Sequence, residues 1–454
     1  MLKEALAGTH QDLTEGSLNR AIVLIAIPMI LEMVMESLFG IVDVFFVSRL
    51  GPDAVATVGL TESLLTIVFG ISIGLSMATT AFVARRIGEK DPEGAANSAV
   101  QAIIVGLLVS SAVGAIGITC GPRLLGIMGA TPAIRANARY TQLMLGGSVV
   151  IFQLFLINAI FRGAGDAALA MRTLWLANGI NIVLDPCLIN GWGPFPHLGV
   201  FGASVATTTG RGIGVLFQLW QLGSGKNRVV VRRHQVRLNL PVMWSLLRVS
   251  ATGILQFLIG TASWMALVRI ISSFGSAAIA GYTIGLRMII FTALPSWGLS
   301  NAAATLVGQS LGAAKPRRAE LAVYRTGLFN MLFICLVSIA FLAIPDRLVT
   351  IFTLDPAVIR PAVACLATFG LALPSWAWGI VLLQAFNGAG DTVTPTYINL
   401  FTFWICQIPI AYLLGIHLSF GLRGTFSAVP VADAIFAITA FVLFRQGRWK
   451  RQRI

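Results

Sequence analysis

The chain has 454 residues, of which 56% are hydrophobic and 11% charged, well below the roughly 25% charged residues of soluble domains, so a water-soluble globular protein is excluded. A net charge of +14 raises the question of nucleic acid, but the Lys and Arg lie mostly between apolar runs and no nucleic-acid partner is expected. Five scattered cysteines (Cys120, Cys187, Cys335, Cys365, Cys406) without a CxxC pair, and four unclustered histidines, argue against a disulfide scaffold or a metal cluster. The cysteines read as small core residues. Residues 1–17 are polar, and the first apolar run is longer than a signal peptide, so no cleavable leader is expected.

Apolar runs long enough to cross a bilayer then follow in chain order. They are predicted at 19–48, 54–84, 96–120, 132–161, 168–190, 200–222, 243–271, 277–308, 321–344, 358–386, 394–416 and 424–444. The fold expected is an all-α polytopic membrane protein with twelve transmembrane helices. The longest polar break, with Lys226, Arg228, Arg232, Arg233 and Arg237, divides six spans from six. It predicts an N-lobe over 1–222, a basic cytoplasmic linker over 223–242, and a C-lobe over 243–454 that ends in a short basic tail. With the N-terminus inside, 22 Lys and Arg fall on inside segments and 8 outside. That bias predicts a multi-pass plasma-membrane protein with both termini cytoplasmic.

The two halves repeat. GLSMATTAFVARRIG (74–88) aligns without a gap to GLSNAAATLVGQSLG (298–312), and the same offset of 224 pairs Gly51 with Gly275 and Pro92 with Pro316. FRGAGD (161–166) recurs as FNGAGD (386–391). Repeats six spans apart keep one topology, so the lobes should be related by an axis along the membrane normal. FRGAGD lacks the Lys-Ser/Thr of a phosphate loop and reads as a tight turn.

Taken together, VDVFFVSRLG (42–51), the paired FxGAGD motifs and an NxxxD pair (Asn181, Asp185) in span 5 give the chain a resemblance to the MATE family, the multidrug and toxic compound extrusion transporters. The resemblance covers essentially the whole chain. It implies two six-helix lobes around a V-shaped central cavity, and efflux of amphipathic, usually cationic, organic compounds by alternating access. Inward flow of H⁺ or Na⁺ would drive it, with no cofactor beyond that ion. It also implies a monomer and places a coupling-ion site at Asp43, Asn181, Asp185 and Thr207, the set that would hold Na⁺. Tyr140 and Asn158 match the surrounding network and cavity, and span 1 is implied to bend at Pro28.

The residues support a cation site independently. Glu32, Glu36 and Asp43 share one face of span 1, and Asn178, Asn181 and Asp185 form an i, i+3, i+7 stripe on span 5. Acids in hydrocarbon are costly unless paired, hydrated or protonated, so such stripes face protein or water. Thr207 and Tyr140 reach a similar depth. Two facing carboxylates suit a shared proton, and with an Asn carbonyl and a Thr hydroxyl they also suit Na⁺. Pairing of Asp43 or Asp185 with Arg211 or Arg287 is the structural alternative, and Glu36 reads equally as substrate contact or structural acid. Glu32, Glu62 and Asp433 read as structural. Met33, Met35, Phe39 and Phe155 are candidates for a drug cavity, with simple packing or lipid contact the commoner role for such side chains. The matching positions of the second half are Gln256 for Glu32, Gly260 for Glu36, Leu267 for Asp43 and about Ile410 for Asp185. Loss of the acids there resembles the DinF-like branch, although Glu36 is an extra acid for it. A flippase for lipid-linked or polysaccharide precursors is the second transporter reading. No HExxH, GxSxG or P-loop supports an enzyme.

Overall fold

Proline marks where many of the helices begin. Pro52, Pro92, Pro316 and Pro356 each stand at the start of a helix, where a missing N–H leaves no bond unmade. The computed structural model describes residues 1–8, 12–225, 227–452 and 454, and Arg233 without its side chain. Lys226, Arg453 and the Arg233 side chain, part of the expected basic linker and tail, lie outside the described residues.

The described chain is helical and contains no strand. Its long helices are α1 (Leu18–Ser48), α2 (Pro52–Gly88), α3 (Pro92–Ile127), α4 (Ala138–Ala164, with a break at Gly147), α5 (Ala167–Asn190) and α6 (Val200–Gly223). The second half supplies α7 (Leu240–Ser272), α8 (Ser276–Gly312), α9 (Pro316–Ala343), α10 (Pro356–Ala389), α11 (Val393–His417) and α12 (Gly421–Arg445). Eleven of these are long and apolar enough to cross a membrane. The exception is α6, diluted by Thr207, Thr208, Thr209, Arg211 and its glycines. The span expected from 132 begins at Ala138 instead, because Pro132–Ala136 forms a short helix of its own. Several helices also outrun the predicted spans, since hydropathy marks the hydrocarbon-length segment and not the polar turns that continue it. Much of α11 is π-helical, over Leu400–Gln407 and Leu413–His417, which hydropathy does not register. All five cysteines are free, but only Cys365 is buried, and the other four are half-buried.

Each half has its own apolar core. Val58, Phe82, Ile151 and Phe152 lie in the first, and Ile271, Tyr282, Phe369 and Phe426 in the second. The halves meet where α1 packs on α8, α7 on α2, and α2 on α8.

The repeat is visible in these contacts. A Cβ on Gly88 would lie 2.1 Å from the carbonyl oxygen of Gln309, and one on Gly312 would lie 2.1 Å from that of Arg85. Both members of the two contacts differ by 224, the offset of the sequence repeat. Gly74 meets Ile254 of α7, and Gly298 meets Met29 and Ile30 of α1, with Ile30 and Ile254 again 224 apart. Gly40, Gly59 and Gly260, farther from this end, have nothing within 4 Å of the Cβ position. Close glycine packing between the halves is therefore concentrated toward one end.

Both FxGAGD motifs lie at that end and are turns, as expected. Gly165 (φ 85°) and Gly390 (φ 86°) are left-handed. In each, the Asp N–H bonds back to the Phe carbonyl, Asp166 to Phe161 at 2.8 Å and Asp391 to Phe386 at 3.0 Å. This is the Schellman arrangement, for which glycine is the natural residue. Leu13 packs on Gly165 and Ile454 on Gly390, so both chain ends lie at this face. Arg228 of the linker donates to the Ala164 carbonyl there at 3.1 Å.

Candidate ion and substrate site

Helix α6 can approach α5 closely because of Gly210, where a Cβ would lie 2.5 Å from the Ala177 carbonyl oxygen. That approach sets Thr207 against Asn181, whose Nδ2 donates to Thr207 Oγ1 at 3.0 Å. Asn181 and Asp185 are 2% and 0% exposed. Neither carboxylate oxygen of Asp185, nor Oδ1 of Asn181, has a hydrogen-bond partner among the described residues. Asp43 of α1 is buried, and its charge interacts with those of Asp185, Glu62 and Arg211. The buried Tyr140 hydroxyl lies in the field of the same group. Buried acceptors without donors are rare in folded proteins, and a proton, a cation or a water molecule would satisfy these. Two carboxylates, an amide oxygen and a hydroxyl form a hard-oxygen set that fits a proton or a cation.

Two turns along α1, Glu36 accepts from Asn178 Nδ2 at 2.9 Å and lies 3.6 Å from Arg211 Nη2. The alternative of Arg211 as the ion-pair partner of Asp43 or Asp185 is not what the structure shows, because the guanidinium pairs with Glu36. Arg287 lies within electrostatic reach of Glu62. Asp433 is buried on α12 without an ion pair among the described residues.

One turn further back is a second polar layer. Glu32, 2% exposed, pairs with Arg162 Nη1 at 3.3 Å and accepts from Asn158 Nδ2 at 3.3 Å. Gln218 Nε2 in turn donates to Asn158 Oδ1 at 2.7 Å. Asn158 therefore belongs with Glu32 and the FRGAGD arginine, whereas Asp43, Asn181, Asp185, Thr207 and Tyr140 cluster nearer the other end of the helices.

Between the halves lies a cavity of about 370 Å³. Glu32, Glu36 and Asn158 reach it from the first half, and Trp297, Asn301 and Gln384 from the second. Met33 and Phe155 line it, whereas Met35 is buried outside its lining and Phe39 lies beneath the Arg211 guanidinium. In the second half, Gln384 donates to Asn301, and Asn387 donates to Gln384 at 2.8 Å.

The MatE family model matches residues 28–187 and again 253–413, one match to each half. The chain belongs to the MATE family. A probable multidrug resistance protein NorM of Thermotoga maritima is 29% identical, with 96% of this chain and 94% of that protein aligned. The structure is also similar to an outward-facing conformation of a multidrug resistance MATE family transporter, with TM-score 0.91, 26% identity, and 98% of this chain and 100% of the other covered. A MATE crystal structure in the bent conformation matches with TM-score 0.89 and 26% identity, covering 98% of this chain and 97% of the other. The two-lobe MATE fold is thus the fold of this multi-pass membrane protein.

Three polar groups in or beside the cavity wall are not among the site residues expected from the sequence. Arg162 lay inside a motif read only as a turn. Gln218 is a lone polar residue near the end of α6. The Asn301–Gln384–Asn387 chain spans two helices whose order in space is invisible in sequence. The exact repeat around Asn301 (GLSM against GLSN) was the available signal, since it sets an amide where the first half has Met77.

Proposed function

We propose that this MATE protein is a secondary-active antiporter of the plasma membrane, exporting amphipathic, cationic organic compounds in exchange for H⁺ or Na⁺. The observation that carries this reading is the set of buried, unpartnered acceptors on Asp185 and Asn181 beside Asp43. In this reading Asp43 and Asp185 take the coupling ion, Asn181 and Thr207 complete its oxygen shell, and Tyr140 closes the network. The central cavity takes the substrate, with Glu36 facing its positive charge and Met33, Phe155 and Trp297 its apolar body. Methionine and aromatic walls suit guests of varied shape.

The second half lacks acids at the positions matching Glu32, Glu36, Asp43 and Asp185 and keeps Asp433 as its buried intramembrane acid, which supports the DinF-like pattern of coupling. The two ends of the chain lie at one face, in keeping with an even number of crossings and cytoplasmic termini. Pro28 sits buried one turn before Glu32, and α1 runs through it without interruption. Its missing N–H leaves a weak point at which α1 can bend during the cycle. A monomer contains the whole site.

The deciding experiment is ethidium export in proteoliposomes under separately imposed proton and sodium gradients. Asp43→Asn and Asp185→Asn should both abolish coupled export while the protein still inserts and folds. Full gradient-driven export by either variant would refute the site.

A further inference from the structure

Arg211 is a buried cation that the proposed exchange has not yet used. It is 6% exposed. Its Nη2 lies 3.6 Å from Glu36 Oε1, while its Nη1 is buried with no hydrogen-bond partner among the described residues. The guanidinium carbon stands 5.6 Å from the Phe39 ring centroid and 5.8 Å from that of Phe69. Glu36, Phe39 and Asp43 follow one another at i, i+3 and i+7, so they lie along a single face of α1. An aromatic ring therefore bridges the interval between two acids, and the guanidinium rests against that ring. Aromatic faces hold a cation without fixing it to one anion.

Of the two acids at the ends of this rail, one lines the central cavity and the other does not. Glu36 lines the central cavity. Asp43 belongs to the ion site and already feels the Arg211 charge through space. The other groups facing this region are Glu62 on α2, Tyr140 on α4 and Asp185 on α5.

We propose that Arg211 is a tethered cation that toggles between Glu36 in the substrate cavity and Asp43 in the ion site, so that positive charge loaded at one site frees or blocks the other. This rests on the antiport reading above and supplies its missing link, since the ion and the organic cation then exclude each other without sharing a carboxylate. With H⁺ or Na⁺ on the aspartates, Arg211 stays on Glu36 and the cavity offers no bare acid. With the aspartates unloaded, the guanidinium moves along Phe39 toward Asp43, and Glu36 is exposed to a cationic guest. The coupling is reciprocal, as any linkage between two binding sites must be. The described geometry has Arg211 at the Glu36 end of this rail.

The test is ethidium binding to the purified full-length protein, followed by fluorescence anisotropy. Asp43→Asn mimics a loaded ion site and should weaken ethidium binding about tenfold, within the usual range of coupling between sites. Adding Arg211→Gln to Asp43→Asn should restore binding to the parent level, whereas adding Arg211→Lys should not, because the tethered charge remains. An Asp43→Asn/Arg211→Gln protein that binds as weakly as Asp43→Asn alone, while the Arg211→Lys pair elutes as a folded species, would overturn the toggle and leave the antiport reading standing. A parent protein that binds no ethidium would overturn both.

Discussion

Arg162, the second residue of FRGAGD, reaches 3.3 Å from the buried carboxylate of Glu32. The contact joins the last turn of α4 to the turn of α1 that follows Pro28. A motif that reads as a simple helix stop thus also carries the counter-charge for an acid in the cavity wall.

Breaking this pair should be worse than removing it. Either Arg162→Gln or Glu32→Gln leaves a buried charge alone, at a cost of roughly 3–5 kcal/mol. The double variant should recover more than half of that loss. Thermal unfolding in detergent of the four proteins measures the difference, and additive losses would show that the pair is not coupled.

Asn181 and Thr207 act as one unit, because the amide donates to the hydroxyl at 3.0 Å. Asn181→Ala and Thr207→Val should each weaken coupling-ion affinity, and the double variant should be little worse than Asn181→Ala alone. Ion-dependent export, titrated separately with protons and sodium, reads this out. Two independent, multiplying losses would separate the residues into different sites.

Gly88 and Gly312 set how closely α2 and α8 meet. A side chain on either would meet a backbone carbonyl at 2.1 Å. Gly88→Val and Gly312→Val should therefore destabilise the packing of the halves at this end by about 1–3 kcal/mol, the usual cost of overpacking. With the five native cysteines replaced, a cysteine placed at Thr305, whose hydroxyl now bonds the Arg162 carbonyl at 3.0 Å, should become more reactive to a charged maleimide in both variants. Unchanged labelling would mean that this contact does not control access at this end.

Pro28→Ala restores a backbone hydrogen bond and should stiffen α1. Export should fall several-fold, while ethidium binding at equilibrium changes little. Transport indistinguishable from the parent would remove Pro28 from the cycle.

The duplication, the number of long helices and the two acid-bearing stripes were legible in the chain. Each rests on local rules that act within one segment: apolar length, helical period, and the cost of a carboxylate in hydrocarbon. The same rules identified the FxGAGD turns, since a left-handed residue at a helix end selects glycine.

Partnership was not legible. Nothing in the order of residues says that Arg211 pairs with Glu36 and not with an aspartate, that Asn158 and Arg162 both donate to Glu32 while Gln218 donates to Asn158, or that Gln309 donates to the Gly163 carbonyl at 2.9 Å. Those pairings depend on which helices become neighbours and how closely glycines let them approach. Only the packed helices decide that, because ion pairs and hydrogen bonds between segments are set by distances of a few ångströms that no periodicity encodes.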